Sequence, residues 1–476
     1  VVGDSIDHAG ATYSAGARED LAPLRALAGQ GGLAPCIDGV ERPYVDLDAA
    51  ASTGALAEVA AAVATFVPEY ASVHRGAGWR SRLATGAYEE ARAAMLDFAG
   101  RGEDDVAIVC RNTTEAINHL AYRLGLTRDD VVLSTVVEHH ANMLPWRRYA
   151  TVRYVECGPE GTFDLEDVRA GLRATPRPKL LAVTGASNVS GWLPPVDDLI
   201  EAAHEAGVPV LVDAAQLAPH RPLPAGADYL AWSGHKMYAP FGGGVLVGPR
   251  ACFASGEPFL AGGGAVDMVS LEEVLWSKPP EREEAGSPNV VGAVALHAAI
   301  RVLTSAGWPA IEAHEAALAA RLRSGLAAIP GVHVLGPGSG TETLAVAAFV
   351  VDGVHHALVA ARLAAEWGIG VRHGCFCAHP YLVRLLGLTE AEIVAYREGL
   401  RRGDHAAVPG ATRASASIGT SGADVEQLLR AVAEIASGAP APVRYEQDPS
   451  TGDFYPTEGD SRWLEAAGRG GGCATG

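Results

Sequence analysis

Between residues 105 and 295, short runs of consecutive apolar residues recur between longer stretches whose apolar positions return every three or four residues. Asp105-Val106-Ala107-Ile108-Val109, Val131-Val132-Leu133-Ser134, Leu180-Leu181-Ala182-Val183 and Val208-Pro209-Val210-Leu211-Val212 are too short and too β-branched for helices. They predict strands buried on both faces. Their alternation with helical stretches predicts a mostly parallel sheet covered by helices, an α/β architecture. A long Ala/Val-rich helix is expected over about 54–67, and a short Ala/Leu-rich helix with a Gly-rich turn over about 17–40. Beyond 295 the pattern changes. A helical segment covers about 296–330, strands follow at 331–335 and 344–351, and helices at 356–367 and 423–436 close a smaller α+β unit.

These patterns divide the chain into an N-terminal segment (1–43) packing with the small domain, a large domain (44–295), a small C-terminal domain (296–438) and a tail (439–476). The tail is rich in Gly, Pro and acids and reads as extended or disordered, with Tyr455 and Trp463 as docking points.

With 476 residues, 48% of them hydrophobic, the chain can bury a large core. Its formal net charge of −19 argues against nucleic acid as a partner. No run of about 18 apolar residues is present, so a membrane span is not expected and the chain reads as soluble and cytoplasmic. Seven cysteines without framework spacing argue against a disulfide-stapled secreted domain. In His373-Gly374-Cys375-Phe376-Cys377-Ala378-His379, four potential metal ligands alternate. On an extended strand such ligands stand about 6.6 Å apart and span about 20 Å, too far to surround one ion, so no metal site is expected.

The chemistry concentrates at strand ends. Val208–Val212 ends in Asp213-Ala214-Ala215-Gln216, which sets a carboxylate at the sheet edge where α/β proteins bind ligands. Ala227–Trp232 ends in Ser233-Gly234-His235-Lys236, followed by Phe241-Gly242-Gly243-Gly244. A lysine held there is desolvated, which lowers its pKa and frees the amine for Schiff-base chemistry. An aspartate nearby can keep a pyridinium nitrogen protonated. Asn112-Thr113-Thr114-Glu115 opens a helix after the strand at 105–109, with hydroxyls and amides suited to an anion or simply to capping. Glu138-His139-His140-Ala141-Asn142 ends another strand and offers an imidazole to a flat ring.

Taken in order, these residues resemble the class V aminotransferases of fold type I, and within them the cysteine desulfurases and selenocysteine lyases. The resemblance runs from Tyr44 to about Ala436. It is carried further by Asp48-Ala49-Ala50-Ala51-Ser52, Val73-His74-Arg75-Gly76, Ser187-Asn188-Val189-Ser190-Gly191, Glu284-Ala285-Gly286-Ser287-Pro288-Asn289 and Val371-Arg372-His373-Gly374 through Cys377-Ala378. It implies a large domain with a mostly parallel seven-stranded sheet, pyridoxal 5'-phosphate as cofactor, and a homodimer with the active site at its interface.

The roles it implies follow residue by residue. Lys236 would form the Schiff base and act as general base, Asp213 would pair with the pyridinium, and Gln216 would contact the phenolic oxygen. Thr113, Thr114, Ser233 and His235 would hold the phosphate, with Ser287 reaching in from a second subunit where the family usually has threonine. His139 would stack on the ring and belong to the catalytic set. Arg413 would grip the substrate carboxylate bidentately, with Arg372, Asn188 and His74 lining the same pocket. Cys377 reproduces the spacing of the loop cysteine that attacks the substrate sulfur, and His373, His379 and Arg372 beside it are expected to favour the thiolate.

The implied reaction cleaves the carbon–sulfur bond of L-cysteine or a derivative, leaving alanine and a Cys377 persulfide that passes to an acceptor protein or small molecule. Cys375, Trp192 with Pro194-Pro195, and a helical insertion over 389–402 depart from the compact members of the family. They raise the expectation of a larger pocket and, as alternatives, β-elimination to pyruvate, ammonia and a thiol or hydropersulfide, or aminotransferase or epimerase chemistry.

Overall fold

The computed structural model describes residues 21–469. Seven strands form the central sheet: β1 (Asp105–Cys110), β2 (Val131–Thr135), β3 (Thr151–Val155), β4 (Pro178–Thr184), β5 (Val210–Asp213), β6 (Tyr229–Ser233) and β7 (Gly244–Pro249). Their order is β1-β7-β6-β5-β4-β2-β3. The pairs from β3 through β6 are parallel, and β7 runs antiparallel to both β1 and β6. β2, β5 and β6 are buried along their whole length, which is why each reads as an unbroken apolar run.

Two apolar layers cover the sheet. One centres on Leu133, Val183, Val212 and Leu230 and takes in the helices Ala57–Phe66, Trp79–Phe98 and Val290–Ala306; the other centres on Ile108, Leu180, Leu211 and Leu246. A four-stranded antiparallel sheet, ordered β8-β9-β11-β10, has its own core around Leu363, Phe349, Ala414 and Leu428. Its strands are β8 (Val332–Val334), β9 (Val346–Val351), β10 (Arg372–Gly374) and β11 (Ala411–Ser415).

Three expectations need correction. The helix anticipated over 17–40 is not formed in residues 21–40, residues 17–20 lying outside the described residues. Its backbone groups instead bond far along the chain, Leu24 N to Ile418 O at 2.8 Å and Ile37 N to Ala365 O at 2.7 Å, and Leu33–Pro35 pairs with Glu41–Pro43. Tertiary pairing overrides the helical composition. The helical segment from 296 onward is two helices, Val290–Ala306 and Trp308–Ala327, bent by 85° around Gly307 at φ 81°. The tail is ordered in its described part: Tyr445–Gln447 and Phe454–Pro456 form a hairpin, and Ser461–Arg469 a helix. Tyr445 Oη donates to Glu366 and His373 pairs with Asp453 at 3.2 Å, so this segment is tied to the small sheet. No single described helix is long and apolar enough to cross a membrane.

Candidate active site

β6 is fully buried and ends in a single tight turn, Gly234–Lys236. A Cβ at Gly234 would stand 3.1 Å from both Ala239 O and Gly243 O, a tight contact that glycine avoids. Thr53 N donates to His235 O at 2.8 Å and Thr53 Oγ1 accepts from Tyr238 N at 2.8 Å, which pins the turn from outside. Lys236 is thereby presented at the carboxyl edge of the sheet, one strand away from Asp213 at the end of β5.

The two groups condition each other. Burial holds the Lys236 amine down at about 8, while the Asp213 carboxylate works in the other direction. Burial pushes the Asp213 carboxyl up, opposed by the Ala215 amide at 3.0 Å and by the charge of Lys236. Arg413, Cys377 and Arg372 also act on Lys236 through their charges.

Lys236 and Asp213 border a cavity of about 340 Å³, which also meets Thr113, Thr114, His139, Asn188, Gln216, Ser233, His235, Arg372, Cys377 and Arg413. At one end the helix Thr113–Arg123 begins, with Asn112 capping Glu115 N at 3.0 Å. Thr113 N and Thr113 Oγ1 both lie 2.7 Å from Ser233 Oγ, which joins this helix to the end of β6. The approach requires Gly244, where a Cβ would fall 2.5 Å from Asn112 Cα.

At the other end sit two guanidinium groups. Arg413, 2% exposed, donates to Asn188 O at 2.8 Å and to Asp48 Oδ1 at 3.1 Å, and lies 5.0 Å over the Phe376 ring. Burial holds its pKa down at about 10. Arg372 donates to Asp48 Oδ2 through Nη2 at 2.8 Å and Nε at 3.0 Å. Asp48 thus bridges both arginines from a segment that itself pairs with Ser415 at the end of β11.

His139 follows β2. Burial, with the charge of Lys236 behind it, lowers its pKa to about 3, so the ring is neutral, and its Nδ1 accepts from Ala141 N at 3.0 Å. Beneath it, fully buried Glu138 accepts from Thr135 Oγ1 at 2.8 Å, Asn142 Nδ2 at 2.7 Å and Thr184 N at 3.1 Å. Burial raises its carboxyl to about 8. Glu138 and Asp48 stood inside motifs without being singled out. An acid between two buried runs was the available signal for Glu138.

Cys377 lines the cavity on the loop after β10, with its backbone carbonyl held by His140 N at 2.8 Å. The histidines expected to assist it are engaged elsewhere. His379 stacks on His140 with centroids 5.1 Å apart and is held below its ordinary pKa by burial, while His373 faces Asp453. Nor do the departures enlarge the cavity. Trp192 packs edge-on against Phe163 at 4.9 Å, and the helix Glu390–Arg401 lines a neighbouring cavity.

Two expected residues do not reach the cavity within one chain. His74 and Ser287 line a separate surface cavity of about 790 Å³. His74 also pairs there with Glu89 at 2.7 Å.

A family model for class V aminotransferases matches residues 45–428. A probable cysteine desulfurase of Xylella fastidiosa is 36% identical over 360 residues, covering 73% of this chain and 85% of that protein. The cysteine desulfurase of Dickeya dadantii is 37% identical over 357 residues, covering 72% and 85%. Among solved structures, the apo cysteine desulfurase from Thermococcus onnurineus NA1 superposes with a TM-score of 0.73 at 33% identity, covering 83% of this chain and 95% of that one. The cysteine desulfurase CsdA from Escherichia coli, solved as the S-sulfonic acid, gives a TM-score of 0.71 at 32% identity over the same shares.

Proposed function

The chain belongs to the class V aminotransferase family, and on that premise we propose that it is a pyridoxal 5'-phosphate-dependent cysteine desulfurase, converting L-cysteine to alanine and leaving the sulfur on Cys377. The observation that carries this reading is the meeting of Lys236, Asp213, Arg413 and Cys377 around one cavity. The test is the identity of the products formed from L-cysteine.

The residues present fit the cofactor. A cavity of about 340 Å³ suits a small ring with a phosphate. Its walls offer a buried carboxylate, an amine with lowered pKa, and a helix N-terminus flanked by hydroxyls. Thr113, Thr114, Ser233 and His235 would hold the phosphate, Asp213 the pyridinium nitrogen and Gln216 the phenolic oxygen. Gln216 is oriented for this by its Nε2 donating to Ala50 O at 2.6 Å. When bound, the cofactor supplies an electron sink for the charge that develops at the substrate Cα.

The protein's own groups do the rest. Arg413, already fixed by Asn188, Asp48 and Phe376, receives the substrate carboxylate without reorganising. Lys236 takes the Cα proton, for which an amine titrating near 8 is well matched. His139, uncharged and with its one N–H on Nε2 because Nδ1 accepts from Ala141 N, would cover the ring. Cys377, which lines the same cavity, attacks the substrate sulfur, and its persulfide is then drained by an acceptor thiol.

Covalent capture of the cofactor's aldehyde needs neutral Lys236. Its rate, followed by visible absorbance on mixing with the cofactor-free protein, should rise with pH through a midpoint at about 8. Below that value the amine is protonated and capture slows. A midpoint at the ordinary lysine value of about 10.4 would remove the lysine from the site we describe.

Ser287, His74 and an apolar hairpin share one surface. The hairpin, Val266–Val269 with Val274–Trp276, exposes Met268 at 53%, Val269 at 60% and Leu271 completely. We read this face as the contact with a second copy, which brings Ser287 and His74 to the partner's cavity. Sedimentation velocity should report a dimer, and Leu271→Asp should shift it toward monomer with loss of cofactor. A wild-type protein that sediments as a monomer would rule this out. The free thiols of Cys36, Cys110, Cys157 and Cys252 support a reducing compartment such as the cytoplasm.

A further inference from the structure

The loop that carries Cys377 presents a second thiol, and the two line different cavities. From the end of β10 the backbone is left-handed at Gly374 (φ 105°), Phe376 (φ 55°) and Cys377 (φ 53°). Two of these are not glycine, and each such residue costs about 1 kcal/mol or more, so the reversal is imposed by its surroundings. Asn188 Nδ2 donates to Phe376 O at 2.7 Å, and Ala378 N to Cys375 O at 3.0 Å. Burial pushes the Cys375 thiol up, and the Cys377 amide, aimed at its sulfur by the reversal, works in the other direction. Cys377 lines the cavity of Lys236, whereas Cys375 lines a second one of about 380 Å³.

That second cavity lies between the helices His379–Leu385 and Glu390–Arg401 and is walled by Leu382, Leu386, Ile393 and Leu400. One polar atom in it is unmatched. The Tyr396 hydroxyl is buried without a hydrogen-bond partner, and it lies near enough to Cys375 to feel the charge of that sulfur. A buried hydroxyl left in this way costs about 1–3 kcal/mol unless something in the cavity accepts from it.

We propose that Cys375 is a second sulfur carrier, which takes the sulfane sulfur from Cys377 and holds it as a persulfide in the cavity beneath the helix Glu390–Arg401, with Tyr396 donating to it. This rests on the desulfurase reading. The Cys375 thiolate attacks the outer sulfur of the Cys377 persulfide. A sulfur–sulfur bond forms at Cys375, the one at Cys377 breaks, and Cys377 departs as thiolate. The proton on the outer sulfur travels with it, and the proton given up by Cys375 returns to Cys377. The sulfane sulfur keeps its oxidation state, so no external oxidant or reductant enters. The consequence is that Cys377 is ready for the next cysteine while the product sulfur has left the cavity of Lys236.

The test loads holoenzyme with one equivalent of L-cysteine, quenches with an alkylating probe, and locates the added sulfur atom by tandem mass spectrometry of the fragment spanning residues 373–384. Wild type should carry the label on Cys375. Cys375→Ser should carry it on Cys377, form alanine in its first turnover, and release sulfide to dithiothreitol about tenfold more slowly. Tyr396→Phe, which leaves both thiols in place, should move the label back toward Cys377. Cys377→Ser should carry label on neither residue. Alanine formed with the label confined to Cys377 in wild type would overturn the relay alone, as would a Cys377→Ser protein labelled on Cys375. Absence of alanine in wild type would instead overturn the desulfurase reading beneath it.

Discussion

Lys236→Ala is expected to lose the visible absorbance of bound cofactor and to lower turnover of L-cysteine by at least ~10⁴-fold, since the side chain serves both as covalent anchor and as general base. The fold should survive the change. A lysine whose amine titrates at about 8 in the folded chain, against about 10.4 unfolded, destabilises the native state at every pH below about 8. Between those two values the penalty fades, and above about 10 it is gone. Removing the side chain at pH 7 therefore lifts a cost, and the thermal midpoint of the cofactor-free variant should be no lower than that of cofactor-free wild type. A protein that kept its melting temperature and its activity together would displace Lys236 from the centre of the site.

The positions of Lys236 and Asp213 were legible because both are dictated by local pattern. An apolar run buried on both faces must end at the sheet edge, and the first polar residues after it face whatever binds there. The same reasoning found the strands at 105–110, 131–135 and 178–184 to within two residues. What escaped was set by partners distant in sequence. Asp48 reads as part of an N-terminal motif, yet its role comes from Arg372 and Arg413, more than 300 residues away. Residues 21–40 have helical composition, but their amides find carbonyls near 365 and 418. The tail is polar and Gly-rich, and it is held by Glu366 and His373 rather than by a core of its own. His74 and Ser287 show the same limit at a larger scale, because within one chain they line a surface cavity apart from that of Lys236.

Cys377→Ala decides which reaction the site performs. Its expected outcome is loss of alanine formation from L-cysteine by at least ~10³-fold, because the thiol's contribution is proximity to the substrate sulfur and Cys377 is the only thiol among the described residues lining the cavity. Alanine is the suitable replacement. Residue 377 sits at φ 53°, and alanine bears the same Cβ in that left-handed conformation as cysteine, so backbone strain is unchanged. Cofactor absorbance should persist, since Lys236, Asp213 and the phosphate-facing hydroxyls are untouched. The competing chemistry starts from the same loss of the Cα proton but lets sulfur depart by β-elimination, giving pyruvate and ammonia with no need of a thiol. Pyruvate formed by the variant at the wild-type turnover rate would therefore reassign the enzyme as a lyase. A coloured protein that forms neither product would show that the thiol on the reversed loop, rather than the electron sink alone, sets the fate of the substrate's sulfur.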